Sequence, residues 1–397
     1  MHYNTIMRFI LLVLDSVGIG AAPDAGLYED EGANTLGHIA QTVGGLHLPI
    51  MQSMGLGNIP HLLPYGIPIK GVDPVQRPLA AYGAMQELSE GKDTTTGHWE
   101  MTGILLDKGF KLFPHDYPSF PPELISEFER LTGRRVIGNK AASGIEIINE
   151  LGPEQVNSGS WIVYTSGDSV FQIAAHEQVI PLAELYSGCA IARKLCNPLR
   201  IGRVIARPYI GNAGSFTRTD NRQDFSYPLP ERMILDILYD RGINVVTVGK
   251  IDDIFNHKSI NRAYHVENTK SAMECLIEAI SEFKDGLIFA NFIDFDMKYG
   301  HRRDPAGYAA SLEDTDRFLK DFVSRLKDDD ILVITADHGN DPTFRGSDHT
   351  REYVPLIVHA KALTGKNLGI RKGFFDIAQS AMSFFNLPRN ERGVSFI

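Results

Sequence analysis

The residues best suited to chemistry in this sequence follow an apolar run near its end. Ile331 to Ile334 is uniformly apolar, and Asp337, His338 and, one Gly- and Pro-containing loop later, His349 come after it. An apolar run of this kind is typical of a buried strand. Carboxylate and neutral imidazole together suit a divalent cation of intermediate softness, so the stretch predicts a metal site at a strand tip. The alternative is a surface loop that happens to be rich in Asp and His.

Two other apolar runs, Phe9 to Leu14 and Leu287 to Ile293, end in the same way. The polar residues that follow them are Asp15 after the first run and Asp294, Asp296 and His301 after the second. Because the carboxyl ends of parallel strands meet at one edge of a sheet, we expect these side chains to converge. Clustered carboxylates repel one another unless cations lie between them, so the pattern predicts two divalent metal ions. For Asp15 taken alone, the alternative is a cap for the next helix.

A run of three hydroxyls lies between two glycines in Gly91-Lys-Asp-Thr-Thr-Thr-Gly-His-Trp-Glu100, and a helix is predicted to begin just after them. The unpaired N–H groups and positive dipole end of a helix start would let a hydroxyl attack phosphorus and hold a phosphoryl group. The alternative is that the threonines and Asp93 only cap the helix. The residues do not choose among Thr94, Thr95 and Thr96. Beside two divalent metals, such a hydroxyl would suit phosphoryl transfer.

Length, charge and cysteine content exclude several classes of protein. The chain has 397 residues, of which 43% are apolar and 22% charged, and this predicts a soluble globular protein of two domains. A formal net charge of -10 argues against binding to nucleic acid or to an anionic membrane surface. The three cysteines form no CxxC pair, so a reducing cytoplasm is expected. No apolar run approaches the roughly 20 residues that cross a bilayer, and the opening segment has no signal-peptide cleavage pattern.

The order of predicted elements indicates an α/β fold in which one domain is inserted into another. Helical periodicity alternates with apolar strands in residues 1–107 and 227–397, which favours a mainly parallel sheet covered by helices. In residues 108–226, short predicted strands alternate with helices, and this block is predicted to form a separate, smaller α/β domain. This block also carries a basic set, Arg203, Arg207, Arg218 and Arg222. Guanidinium groups bind phosphate through paired hydrogen bonds, although scattered surface arginines are the alternative.

Five segments together resemble one known family. They are Leu14-Asp-Ser-Val-Gly-Ile-Gly20, Gly91-Lys-Asp-Thr-Thr-Thr-Gly-His-Trp-Glu100, Asp294-Phe-Asp-Met-Lys-Tyr-Gly-His-Arg302, Thr335-Ala-Asp-His-Gly-Asn-Asp-Pro342 and Asp348-His-Thr-Arg-Glu352. In combination they resemble the phosphopentomutases of the alkaline phosphatase superfamily, and the likeness spans nearly the whole chain. The resemblance implies an alkaline-phosphatase-like core, with a mainly parallel sheet sandwiched by helices, and an inserted α/β cap domain. The six residues before Met7 depart from the family pattern.

The resemblance also implies roles for individual residues. One metal would be held by Asp15, Asp337 and His338, and the other by Asp296, His301 and His349. Thr94 would carry the phosphate. Mn²⁺ is the family's usual metal, and zinc is not excluded by ligand type. The positions matching the family's sugar and phosphate contacts are Ser166, Asp168, Val170, Arg203, Ile205, Arg218 and Lys250.

The function that follows from the resemblance is interconversion of ribose 1-phosphate and ribose 5-phosphate, and of the 2-deoxyribose equivalents. A phosphothreonine enzyme and a sugar bisphosphate intermediate are implied, with trace bisphosphate as activator, and the partners are small pentose phosphates. The nearest alternative is a metal-dependent phosphatase, phosphodiesterase or other mutase on the same scaffold. A binding protein with purely structural metals is a further alternative, against which stands the exposed hydroxyl loop. Oligomeric state leaves no trace in the sequence.

Overall fold

The computed structural model describes residues 7–114, 116–166, 169–389 and 391–397. Its strands, in chain order, are β1 (Arg8–Leu14), β2 (Ala81–Gln86), β3 (Val136–Ala141), β4 (Trp161–Thr165), β5 (Val170–His176), β6 (Arg203–Ile210), β7 (Thr217–Arg218), β8 (Gln223–Ser226), β9 (Val245–Val248), β10 (Arg262–Tyr264), β11 (Gly286–Phe292), β12 (Ile331–Thr335), β13 (Val354–His359) and β14 (Asn367–Lys372).

The α-helices, in chain order, are α1 (Thr35–Thr42), α2 (Pro49–Ser53), α3 (Thr94–Met101), α4 (Pro122–Thr132), α5 (Gly144–Ser158), α6 (Leu182–Cys196), α7 (Ile234–Asp240), α8 (Ile251–Ile254), α9 (Thr269–Glu282), α10 (Pro305–Val323) and α11 (Asp376–Phe384). Short 3-10 segments cover Ala25–Tyr28, Leu56–Leu62 and Lys361–Leu363, and a π-helical turn covers Phe295–Gly300. Within the described ranges, no helix is long and apolar enough to cross a membrane.

The chain divides into two units, of which the larger holds the residues up to Lys108 and again from Pro230 to Ile397. Its sheet has the strand order β10-β9-β11-β1-β12-β13-β2-β14. Among the described strands of this sheet, only β13 runs antiparallel to its neighbours. Every residue of β1, β11 and β12 is buried, so both faces of the sheet's centre are covered. The mainly parallel α/β core expected from the sequence is confirmed.

The register of the central strands brings three acid-bearing tips together. Leu14 at the end of β1 pairs with Phe292 at the end of β11, and Val13 pairs with Thr335 at the end of β12. The loops that leave these strands therefore start side by side at one edge of the sheet. Ligands of open α/β sheets bind at this carboxyl edge.

The smaller unit runs from Gly109 to Leu229 and has its own sheet, with the order β3-β4-β5-β6-β7 and with β8 also paired to β6. Parallel and antiparallel pairings are mixed in it. One face packs on α4 and α6 around the buried residues Phe128, Trp161 and Phe171, and the other packs on α5. The unit has an independent core, which is what a separate domain requires. Its role as a cap stays a prediction.

The start of α3 differs from the sequence expectation. The helix begins at Thr94, so the hydroxyls lie in its first turn instead of before it. The reason is Asp93, which is the N-cap and accepts hydrogen bonds from the backbone N–H groups of Thr95 and Thr96 at 3.1 and 3.2 Å. The segment from residue 21 to about residue 90, which carries no clear motif, also folds into regular elements, α1, α2 and β2.

Candidate functional site

The first group of candidate metal ligands joins the tips of β1 and β12. His338 Nε2 lies 3.2 Å from Asp337 Oδ2 and 3.6 Å from Asp15 Oδ1. All three side chains are buried. One ligand atom from each lies within 4.8 Å of the others, which is close enough for a single ion to reach all of them.

The second group lies at the tip of β11 and in the loop after β12. His349 Nε2 is 3.4 Å from Asp296 Oδ1, and His301 Nε2 is 3.2 Å from Asp296 Oδ2. The two imidazole nitrogens are 3.1 Å apart. The π-helical turn after β11 carries Asp296 and leads directly into His301, an arrangement often found at functional sites. The rings of His338 and His349 lie 4.0 Å apart, so the two groups are adjacent.

The chemistry of these groups fits bound cations. Among the described residues, no hydrogen-bond donor satisfies the buried Asp15 Oδ1. Asp337 Oδ2, also buried, has the His98 and His338 imidazoles at 3.2 Å but outside hydrogen-bond geometry. A buried carboxylate oxygen without a donor costs free energy unless a positive charge compensates it. Carboxylates and imidazoles in near equal numbers are the donors that manganese and zinc accept.

The charges within the cluster shift several pKa values. Burial raises the pKa of Asp15 well above its usual value, and the nearby charges of Asp337 and Asp296 raise it further. Burial alone would also raise the pKa of Asp337, but the His338 and His98 imidazoles hold it below its usual value. So concentrated a negative charge needs a positive partner, which is either a proton on an imidazole or a bound cation.

Of the three candidate hydroxyls, Thr94 lies nearest to the cluster. Thr94 Oγ1 is 3.2 Å from His338 Nε2. The Thr96 hydroxyl is fully buried and donates to Asp93 Oδ2 at 2.5 Å, so it serves the helix cap. The geometry therefore favours Thr94, at the first position of α3, as the residue that could exchange a phosphoryl group.

Sequence reasoning missed His98, which ties α3 to the cluster. The buried His98 ring has Nδ1 2.8 Å from the Thr94 carbonyl oxygen and 3.2 Å from Asp337 Oδ2. Its Nε2 is 3.2 Å from the amide nitrogen of Asn291, which donates to Asp15 Oδ2 at 3.1 Å. These partners place the His98 proton on Nδ1. The signal available beforehand was an amide, Asn291, inside an otherwise apolar strand.

Two further residues that were not predicted orient the second group and its loop. Asn340 Nδ2 donates to Asp296 Oδ1 at 2.7 Å. Glu352 is fully buried and accepts from the backbone N–H groups of Gly20 and Thr35 and from the Thr350 hydroxyl. Burial raises the pKa of Glu352 to about 7. Glu352 thus joins the loop after β1 to the loop that carries His349.

Arg351, also missed, joins the His349 loop to the segment before α3. Its guanidinium is 2% exposed and donates to the carboxylates of Asp24 and Glu87. It also donates to the carbonyl oxygens of Ser89 and Gly91, at 3.0 and 2.6 Å. Both segments stood in motifs quoted from the sequence, but pairing between them depends on the fold.

The remaining predicted residues lie in different places. Asp294 accepts from the backbone N–H of Thr269 and from Lys298 instead of joining the ligand groups. Lys250 follows β9 in the larger unit, and its charge lowers the pKa of Asp15, though less than burial raises it. The predicted substrate contacts in the smaller unit are Ser166 after β4, Val170 on β5, Arg203 and Ile205 on β6, and Arg218 on β7. Asp168 lies outside the described residues.

The chain is similar to known proteins over almost its full length. The sequence model of the Metalloenzyme superfamily matches residues 7–389. A phosphopentomutase from Alkaliphilus oremlandii is 50% identical over 391 residues, covering 98% of each chain. One from Caldanaerobacter subterraneus subsp. tengcongensis is 50% identical over 394 residues, covering 99% of this chain and 98% of the relative.

One solved structure supports the fold alone. A Leishmania mexicana phosphoglycerate mutase, crystallised at low cobalt concentration, aligns over 99% of this chain and 98% of its own with a TM-score of 0.50 and 12% identity. The full-length similarity at 50% identity is decisive for the family. The chain belongs to the phosphopentomutase family within the Metalloenzyme superfamily, and it is a metal-dependent isomerase of the phosphotransferase type.

Proposed function

We propose that this enzyme interconverts ribose 1-phosphate and ribose 5-phosphate, and the 2-deoxyribose equivalents, with Thr94 as the carrier of the phosphoryl group. The observation that carries the proposal is the 3.2 Å distance between Thr94 Oγ1 and His338 Nε2, at the start of a helix and beside the clustered carboxylates. The positive end of the α3 dipole favours a phosphate on this residue.

The reaction consists of two displacements at phosphorus. In the first, the bond between phosphorus and Thr94 Oγ1 breaks, a bond forms to the free hydroxyl of the pentose monophosphate, and the hydroxyl proton passes to the solvent or to Thr94. In the second, Thr94 Oγ1 takes the other phosphoryl group from the bisphosphate, and the departing sugar oxygen regains a proton. The net result moves phosphate between C1 and C5. A sugar bisphosphate supplied in trace amounts would load unphosphorylated Thr94.

We propose that Asp15, Asp337 and His338 hold one divalent metal and that Asp296, His301 and His349 hold the other, with Mn²⁺, the family's usual metal, in both positions. When bound, such ions act as Lewis acids that stabilise negative charge on the phosphoryl oxygens. His98, Asn291 and Asn340 fix the orientation of the ligand carboxylates, as outer partners of metal ligands commonly do.

We further propose that the smaller unit acts as a cap that keeps water from phosphorylated Thr94. Water in place of the sugar hydroxyl would turn the mutase into a phosphatase. Arg203 and Arg218 would bind the phosphate that does not react, and Lys250, Ser166 and the other predicted contacts would orient the sugar. The free cysteines, of which Cys189 and Cys196 are buried, suit a reducing cytoplasm.

The test is a mutase assay followed by phosphorus NMR. The protein is incubated with Mn²⁺, ribose 5-phosphate and trace ribose 1,5-bisphosphate. We expect ribose 1-phosphate to accumulate without inorganic phosphate, and its formation to stop after chelation of the metal. Release of inorganic phosphate without ribose 1-phosphate would instead identify a phosphatase on the same scaffold.

A further inference from the structure

A buried hydroxyl without a partner lies in the sheet of the smaller unit. Tyr164, on β4, is 1% exposed, and no described residue hydrogen-bonds to its hydroxyl. A buried tyrosine hydroxyl normally has a partner. Tyr164 pairs with Gln172, and Gln172 pairs with Ile205, so the three side chains share one face of the sheet. The same face carries Arg203, two residues from Ile205 along β6.

The surroundings of this hydroxyl are positively charged. Arg207 Nε donates to Oε1 of Gln172, the cross-strand neighbour of Tyr164, at 3.0 Å. Burial raises the pKa of Tyr164, while the charges of Arg207, Arg218 and Arg222 lower it. The nearby carboxylate of Asp224 is bound by Arg222 at 2.6 Å. A buried hydroxyl surrounded by cations is suited to an anion that accepts several hydrogen bonds.

The start of α5 lies against the Tyr164 hydroxyl and Arg218. A Cβ atom at Gly144, the first residue of this 15-residue helix, would lie 1.9 Å from Arg218 Nη2 and 2.5 Å from the Tyr164 hydroxyl oxygen. The hydroxyl and the guanidinium therefore meet at a position where only glycine leaves space. The first N–H groups of a helix have no intrahelical acceptor and favour phosphate.

We infer that the Tyr164 hydroxyl, Arg218 and the side-chain-free start of α5 at Gly144 form a binding site for the unreactive phosphate of the sugar substrate. This inference rests on the proposed function, and it adds Tyr164 and Gly144 as specificity-determining residues. A phosphate monoester has about two negative charges and three acceptor oxygens, enough to engage the hydroxyl, the guanidinium and the helix start together. A carboxylate has one charge and two oxygens and would leave part of the site unpaired.

The experiment compares ribose 5-phosphate binding by calorimetry in the Mn²⁺-loaded Thr94→Ala protein, which cannot turn over, with and without Tyr164→Phe. We expect the second substitution to weaken binding about tenfold, the effect of losing one hydrogen bond to a charged group. Inorganic phosphate should lose affinity by a similar factor. The thermal unfolding midpoint should not fall, because the hydroxyl has no partner in the free protein. An unchanged affinity for ribose 5-phosphate would overturn the inference.

Two variants sharpen the comparison. Tyr186→Phe is the matched control, because the Tyr186 hydroxyl donates to the Asn221 carbonyl oxygen in the same unit. In the Thr94→Ala background, Tyr186→Phe should leave the affinity for ribose 5-phosphate unchanged. Gly144→Ala should weaken binding at least as much as Tyr164→Phe, since the added methyl would lie 1.9 Å from Arg218 Nη2 and displace the guanidinium. A Tyr164→Phe protein with normal affinity but a lower unfolding midpoint would assign the hydroxyl to folding and contradict the inference. If the wild-type protein showed no mutase activity but the variants still differed in their affinity for ribose 5-phosphate as expected, the proposed function would be refuted and this binding site would not.

Discussion

Thr94 Oγ1 and His338 Nε2 lie 3.2 Å apart, although 244 residues separate them in the sequence. The first residue begins α3, and the second follows the tip of β12. The distance joins the hydroxyl that could carry phosphate to the cluster that could hold metals. Only the fold creates this relationship, and the proposed chemistry depends on it.

Replacing Thr94 with alanine removes the proposed carrier of the phosphoryl group. We expect Thr94→Ala to lower kcat by on the order of 10⁴-fold or more, as loss of a nucleophile does in other covalent enzymes. The variant should also gain no mass when incubated with sugar bisphosphate. Thr95→Ala is the control, and it should remain within about tenfold of wild type in the same assay. Full activity in Thr94→Ala would rule out the covalent mechanism.

Gly97 sets how closely α3 approaches the cluster. A Cβ atom at Gly97 would lie 2.3 Å from the carbonyl oxygen of Asp337 and 3.0 Å from its Cβ. We expect Gly97→Ala to push the helix away, with a loss of about 1 to 3 kcal/mol of stability and about 10²-fold in kcat. Urea unfolding and the mutase assay measure the two effects. In the control Gly188→Ala, the nearest atoms are those of the Trp161 ring at 3.2 Å, so kcat should be unchanged.

Arg351 holds the segment before α3 by hydrogen bonds to the carbonyl oxygens of Ser89 and Gly91. Lysine keeps the charge but lacks the planar set of donors, so Arg351→Lys leaves buried acceptors unpaired. We expect the free energy of unfolding, measured in urea, to fall by about 2 to 4 kcal/mol. We also expect kcat to fall by a larger factor than any change in KM.

The control for Arg351→Lys is Lys361→Met, which breaks the exposed ion pair with Asp328. It should change neither the free energy of unfolding nor kcat. A kcat equal to that of wild type in Arg351→Lys would show that the segment before α3 does not need this arginine.

His38 and Asp341 give stability a defined dependence on pH. Their side chains lie 2.6 Å apart, and this hydrogen bond raises the pKa of His38, while burial opposes the rise. A raised folded pKa means that the stabilisation is full below the unfolded value of about 6.5 and is lost as pH rises through the folded value. The pKa of Asp341 is held down by the same bond against the effect of burial, so its contribution is lost only as pH falls below about 4.

The difference in unfolding midpoint between wild type and His38→Gln should therefore be largest at about pH 5 to 6 and smaller at about pH 9. Circular dichroism melts across this range measure it. A difference that grows toward alkaline pH would contradict the assigned direction for His38.

The parts of the candidate site that come directly after strand ends could be predicted from the sequence. Asp15, Asp296 and Asp337 each come after an apolar run, and parallel strands bring such tips together by geometry alone. The distance between Thr94 and His338, in contrast, depends on Gly97 admitting the backbone of Asp337, a contact between segments 240 residues apart.

The supporting residues could not be predicted for a similar reason. Arg351 and Glu352 stood in a quoted segment without an assigned role, because their roles arise from distant partners such as Glu87 and Thr35. The direction of β13, which runs antiparallel to β12 and β2, also could not be read from its apolar residues. Hydrophobic patterns predict burial and element type, whereas strand direction and polar partners depend on the tertiary fold.

The central claim is that a phosphoryl group travels through Thr94, and a pulse-chase experiment tests it most directly. The Mn²⁺-loaded protein is labelled with radioactive ribose 1,5-bisphosphate, freed of excess reagent, and chased with unlabelled ribose 5-phosphate. We predict label on Thr94, located by peptide mapping, and its transfer to the sugar within one turnover. Mutase turnover without any label on Thr94 would contradict this account.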